Sequence, residues 1–184
     1  MSMGTLDVMA VTVSHKEENH NYVDGIEGDY SIIDGPGEYE YAGIYFTGVM
    51  TPSSGMSDSD FINTAFLIEM ENLRICHLGD IQSNLGTKQL ESLSPVDILF
   101  LPVGGRCTLG MPEAIQLTQS MEPRIVIPMH YSIPGLKVEL NDIDVFLKEM
   151  GLKDLQHQPR LNVSSTSLPM ERRIVLLDSQ STLI

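Results

Sequence analysis

The chain has few cysteines, few basic residues and no long apolar run. Each shortage narrows what it can be. Its 184 residues include only 11 lysines and arginines against 25 acidic residues, for a formal net charge of -14. Such a balance disfavours binding to nucleic-acid phosphates or anionic membrane surfaces, because both repel a polyanion. Solubility is the plainest use of the acidity. Two cysteines, Cys76 and Cys107, cannot make a disulfide framework, which fits a cytoplasmic protein. Cys76 lies inside an apolar strand-like run and is expected as a buried, reduced thiol. No stretch approaches the roughly 18 apolar residues of a membrane span. Met1–Ala10 lacks a basic region ahead of its apolar stretch, so no secretory leader is expected. There is no internal repeat or low-complexity tract, and length alone favours one domain over residues 1–184.

What is present is a series of short strands, then strands alternating with helices. Leu6–Val13 reads as a buried strand. Ile32–Ile33, Glu38–Tyr41 and Gly43–Val49 read as strands around the turn run Asp34-Gly35-Pro36-Gly37. Thr51–Asp60 is rich in Ser, Gly, Pro and Asp and is expected as a mobile loop. Thr64–Met70 and Leu73–His77 predict a hairpin turning at Glu71-Asn72, buried on most of both faces. Helices are expected at Thr87–Leu93, Pro112–Met121 and Leu140–Met150, the last stopped by Gly151. Val96–Pro102, Arg124–Pro128 and Ile174–Leu177 read as apolar strands. This pattern suits packed sheets with helices outside them.

Metal-competent side chains sit at the ends of three of these strands. A strand fixes the backbone, and the following loop can turn several side chains toward one point. Ser14-His15-Lys16-Glu17-Glu18-Asn19-His20 follows Leu6–Val13. Asp80 follows Leu73–His77 through Gly79. His130 follows Arg124–Pro128. Neutral imidazole and carboxylate suit zinc, manganese or iron, and a metal with an open position activates water. The bland alternatives are hydrogen-bonded histidines at strand ends and a turn aspartate. Glu17 serves equally well as a solvated charge, His77 as a structural strand-end histidine and His157 as a surface residue. Met111, Met121 and Met129 read as core fillers. Gly104-Gly105 either lets a substrate or backbone approach closely, or simply makes a tight turn.

The first of these stretches has the frame His-x-His-x-Asp-His, with Glu17 and Asn19 in place of its second histidine and its aspartate. Together with Val11–His15, Gly35–Glu40, Asn63–Phe66, Ile75–Asp80, Leu101–Gly105, Ala114 and Ile127–Tyr131, it resembles the metallo-β-lactamase fold superfamily. It is most similar there to the zinc-dependent hydrolases related to L-ascorbate-6-phosphate lactonase. The resemblance implies an α/β protein, an αββα four-layer sandwich lacking the first strands, with a metal site at one edge of its two sheets. It places His15 at the first histidine of the motif and His20 at the last. Asp80 falls at the metal-bridging aspartate and His130 at the late histidine. The family's histidine in the loop before Asn63-Thr64 is absent, since Thr51-Pro-Ser-Ser-Gly55 stands there. At most one ion is therefore expected, on His20, His130 and Asp80, with His15 or Glu17 assisting and Asn19 a poor donor. Asp80 is the expected catalytic base, and Gly104 and Gly105 are weak candidates for binding a small-molecule substrate.

Two functions stay open. One is a hydrolase acting on an ester, lactone or phosphodiester. The other is a non-catalytic homologue, with no metal, that serves as a binding or assembly module. Family members also begin with strands ahead of the segment equivalent to Leu6–Val13. Their absence predicts an unpaired sheet edge and a homo-oligomer formed across it.

Overall fold

A computed structural model describes residues 8–17, 20–51 and 62–179. Its elements in chain order are β1 (Ala10–Thr12), β2 (Ser31–Ile33), β3 (Gly37–Tyr41), β4 (Ile44–Met50), β5 (Thr64–Met70), β6 (Leu73–His77), α1 (Thr87–Leu93), β7 (Ile98–Pro102), α2 (Met111–Met121), β8 (Ile125–Met129), α3 (Ile143–Glu149), β9 (His157–Gln158), β10 (Arg173–Ile174) and β11 (Leu176–Leu177). Seven strands form one sheet in the order β10-β8-β7-β6-β5-β4-β3. Its β3–β6 part is antiparallel, and from β6 to β10 the strands run parallel. Two small parallel pairs, β1-β2 and β11-β9, complete the strands. No helix among the described residues is long and apolar enough to cross a membrane.

Period-two alternation divides the large sheet into two faces. Ala65, Leu67, Cys76, Leu99, Leu101 and Val126 point to one face, where they pack with Leu93 of α1, Ala114, Leu117 and Met121 of α2, and Phe146 and Leu147 of α3. The opposite face is covered in two places. Phe46 and Phe66 pack with Ile33 of β2, while Ile98, Ile125 and Ile127 pack with Val175, Leu161, Val163 and Leu168. The β1-β2 pair is thus a much reduced second sheet lying on the large one. Gly48 permits this closeness, because a Cβ there would stand 2.6 Å from the Gly35 carbonyl oxygen.

The hairpin forms where expected. Glu71 and Asn72 have φ of 50° and 59°, the left-handed pair that lets a two-residue turn match the twist of its strands. Thr64–Leu67 are buried without interruption, as their partial alternation predicts. Helix α1 matches its expected span, and Gln89 Oε1 accepts the Gly86 N–H at 2.8 Å to close its first turn. Helix α2 carries Pro112 in its first turn.

Three segments differ most from expectation. Helix α3 begins at Ile143, not Leu140. The Asn141 N–H donates to the Gly104 carbonyl at 2.8 Å and its carbonyl accepts from the Ser132 N–H at 3.0 Å, so this backbone is already used in tertiary bonds. Ile174–Leu177 is two strands, because Ile174 pairs with β8 and Leu176 with β9. Strand β9 itself is polar and short, with no apolar alternation to mark it. At the front, β1 covers Ala10–Thr12, and Leu6 lies outside the described residues, as do 52–60 of the expected loop.

Candidate metal centre

Three strand ends meet at the rim of the sheet, and backbone chemistry holds them there. The Thr64 N–H at the head of β5 donates to the Ser14 carbonyl just past β1, at 2.7 Å. Buried Asn63 ties in the third segment. Its Nδ2 donates to Thr51 Oγ1 at 2.8 Å and the Leu78 carbonyl at 2.9 Å, and its Oδ1 accepts the Asp80 N–H at 2.8 Å. Three bonds of one amide thus tie Thr51 to the loop that carries Asp80, two of them made to that loop's backbone. Gly79 sits where these segments touch. Its φ is +61°, and a Cβ would lie 2.3 Å from Asn63 Oδ1 and 2.6 Å from Ser14 Cβ. Only glycine fits there. His77 supports the same turn, accepting the Gly79 N–H on Nδ1 at 3.1 Å while its ring lies against Phe100. Burial pushes the His77 ring down to about pKa 4. It is a structural strand-end histidine, and His157 is exposed on β9.

His130 follows β8 with φ of 53°, a left-handed backbone uncommon outside glycine that concentrates at functional sites. Gly104, after β7, accommodates it. A Cβ on Gly104 would meet the His130 carbonyl oxygen at 2.1 Å, and one on Gly105 would meet Asn141 Nδ2 at 2.7 Å. The close approach at Gly104-Gly105 is therefore made by the protein's own chain.

The donors gather in two overlapping groups. The ligand atoms of His15, His20 and Asp80 all lie within 4.8 Å of one another, and so do those of Asp80, Cys107 and His130. Asp80 belongs to both. The expected trio of His20, His130 and Asp80 is thus divided, with Asp80 as the hinge. The His15 and His20 rings are 4.4 Å apart between centroids, and His20 and His130 are 5.7 Å apart. His15 is 3% exposed and Asp80 5%. Ser14 Oγ lies 3.0 Å from His15 Nδ1. Glu17 Oε2 stands 3.9 Å from His15 Nε2, on a side chain 54% exposed, so Glu17 borders the cluster from solvent. Asn19 lies outside the described residues.

Electrostatics favour neutral rings around one carboxyl group. Burial, and next the neighbouring His20, lower His15 below the ordinary imidazole range. Burial also lowers His130, with Asp80 opposing. Neutral rings keep the lone pairs a metal needs. Burial raises Asp80, against the pull of His130, His20 and His15. Asp80 Oδ1 has no hydrogen-bond partner among the described residues and stands 3.7 Å from His130 Nε2. A buried carboxylate oxygen left without a partner is costly, and a cation relieves that cost. The donor set and this orphaned oxygen fit a divalent metal.

Cys107 is the member that sequence reasoning passed over. Like the others it follows a strand, β7, but a lone cysteine carries no spacing pattern. Burial, and next the Asp80 charge, push its thiol up.

The family model described as a beta-lactamase superfamily domain matches residues 3–130. The chain belongs to this superfamily. A structure from Thermotoga maritima, assigned as a Zn-dependent hydrolase of the metallo-beta-lactamase superfamily, is 33% identical with a TM-score of 0.77, over 94% of this chain and 82% of that one. A metallo hydrolase from Ignicoccus hospitalis shares the fold at 20% identity and a TM-score of 0.57, over 78% of this chain and 72% of that one. Among curated relatives, a UPF0173 metal-dependent hydrolase of Lysinibacillus sphaericus is 31% identical over 54% of this chain and 46% of its own length. One from Natranaerobius thermophilus is 28% identical over 59% of this chain and 47% of its own. The chain spans about half the length of the curated relatives it matches. The superfamily fold agrees with the mixed α/β architecture, in which one large sheet carries its helices on one face.

Proposed function

We propose that this chain is a metal-dependent hydrolase of the superfamily, holding a divalent cation at Asp80 with the neighbouring imidazoles. The observation that carries this reading is the convergence of those donors on a buried carboxylate whose Oδ1 lacks a hydrogen-bond partner among the described residues. A bound cation there supplies Lewis acidity, which makes water nucleophilic near neutral pH. The chain's own groups do the rest. Neutral His15 and His130 present lone pairs, and Asn63 holds the Asp80 backbone at 2.8 Å. The Asp80 carboxylate is the group that accepts the proton of the attacking water. An ester, lactone or phosphodiester suits such a site. Zinc, manganese or iron suits the mixed imidazole and carboxylate donors.

A non-catalytic binding or assembly module is the second reading. It is favoured by Glu17 facing solvent and by apolar Met9 and Ile32, 54% and 50% exposed at the β1-β2 pair. An exposed apolar patch of this kind suits self-association.

Elemental analysis after dialysis separates the two. The hydrolase reading expects about one equivalent of metal and turnover of a chromogenic ester or phosphodiester, with both lost in His130→Ala. Metal near zero, no turnover and a dimer in light scattering would establish the module instead.

A further inference from the structure

The hydrolase reading leaves Cys107 unused, although its sulfur lies within 4.8 Å of donor atoms on both Asp80 and His130. The approach is built into the loop. After β7, Gly105 and Arg106 are consecutive left-handed residues, with φ of 64° and 59°. The Thr108 N–H closes the turn on the Gly105 carbonyl at 3.2 Å. Two successive left-handed residues turn the chain sharply, and Cys107 is the next residue. Asn141 secures the loop by donating its N–H to the Gly104 carbonyl at 2.8 Å. The other side of the trio points to a ligand independently. Asp80 is 5% exposed, and its Oδ1, beside His130 Nε2, has no hydrogen-bond partner among the described residues.

We propose that Cys107 is a metal ligand, its thiolate joining Asp80 and His130 around the cation. This rests on the metal-bound reading above and adds a donor to it. It also names the class of metal. Thiolate with imidazole favours zinc and other soft or borderline divalent ions over magnesium or manganese, which prefer all-oxygen donors. Binding releases the thiol proton to solvent, so no other chemistry is required.

Cobalt(II) reports the ligand directly. Sulfur ligation gives a near-ultraviolet charge-transfer band, separate from the visible ligand-field bands of any bound cobalt. The full chain loaded with cobalt should show both. Cys107→Ser should lose the charge-transfer band, keep visible bands and bind cobalt at least about tenfold more weakly. Cys107→Ala guards against serine acting as a substitute ligand, and circular dichroism checks that both variants fold. Zinc should also slow alkylation of Cys107. Cys76 gives no background, being 0% exposed with its thiol pushed up to about 12. Cobalt bound without the charge-transfer band, or a band that survives both substitutions, overturns the assignment of Cys107 alone. A chain that binds no cobalt overturns the metal-bound reading as well.

Discussion

Replacing Gly79 by alanine tests whether one residue without a side chain keeps the three site segments together. Three costs add. The left-handed backbone at φ +61° costs a residue with a Cβ about 1–2 kcal/mol. The new Cβ would lie 2.3 Å from Asn63 Oδ1 and 2.6 Å from Ser14 Cβ, and overpacking of that kind costs about 1–3 kcal/mol. Asn63 must give way, which weakens its bond to the Asp80 N–H and adds about 1 kcal/mol or more. The total is about 3–6 kcal/mol. Gly135→Ala supplies the control, because its φ is +86° and nothing among the described residues lies within 4 Å of its Cβ position, so it carries the backbone cost alone. Urea denaturation should separate the two variants by at least about 2 kcal/mol, or roughly 4–8 °C in Tm for a chain of this size. Gly79→Ala should also bind zinc more weakly, and Gly135→Ala should not. If Gly79→Ala costs no more than Gly135→Ala, the claim that the segments close on this glycine is refuted.

Two further predictions concern the supports of the site. Asn63→Ala removes two donated bonds and one accepted bond around buried backbone, so urea denaturation should show a loss of about 3 kcal/mol, and calorimetry should show weaker zinc binding. Acidification should destabilise the fold through His77. Its folded pKa of about 4 lies below the ordinary 6.5, so the unfolded chain takes up the proton first. Its contribution is whole above pH 6.5 and drains away as pH falls toward 4. The full interval is worth about 3 kcal/mol, and residual solvent contact of the ring reduces this to about 1–2 kcal/mol. Denaturation of His77→Gln should lose less stability than the parent between pH 6.5 and 4.5; an equal loss would place the titration elsewhere.

Local sequence determined much of the fold and the identities of most donors. The hairpin at Glu71-Asn72 and helices α1 and α2 follow from short-range signals: alternation, turn-forming residues and a proline in a first helical turn. That His15, Asp80 and His130 stand at strand ends was equally legible, because an apolar run that stops at a polar residue marks where a buried strand reaches the rim. Tertiary structure decided the rest. Helix α3 starts late because Asn141 is bonded to Gly104 and Ser132. Ile174 and Leu176 join different sheets because their partners lie far away in the chain. The grouping of donors around Asp80, and the entry of Cys107 among them, depend on Gly79 and Gly104 letting segments meet where any side chain on them would hold those segments apart. Periodicity and turn chemistry act between near neighbours and can be read along the chain. Coordination is a matter of distance in space, and that is settled only when the strands are laid side by side.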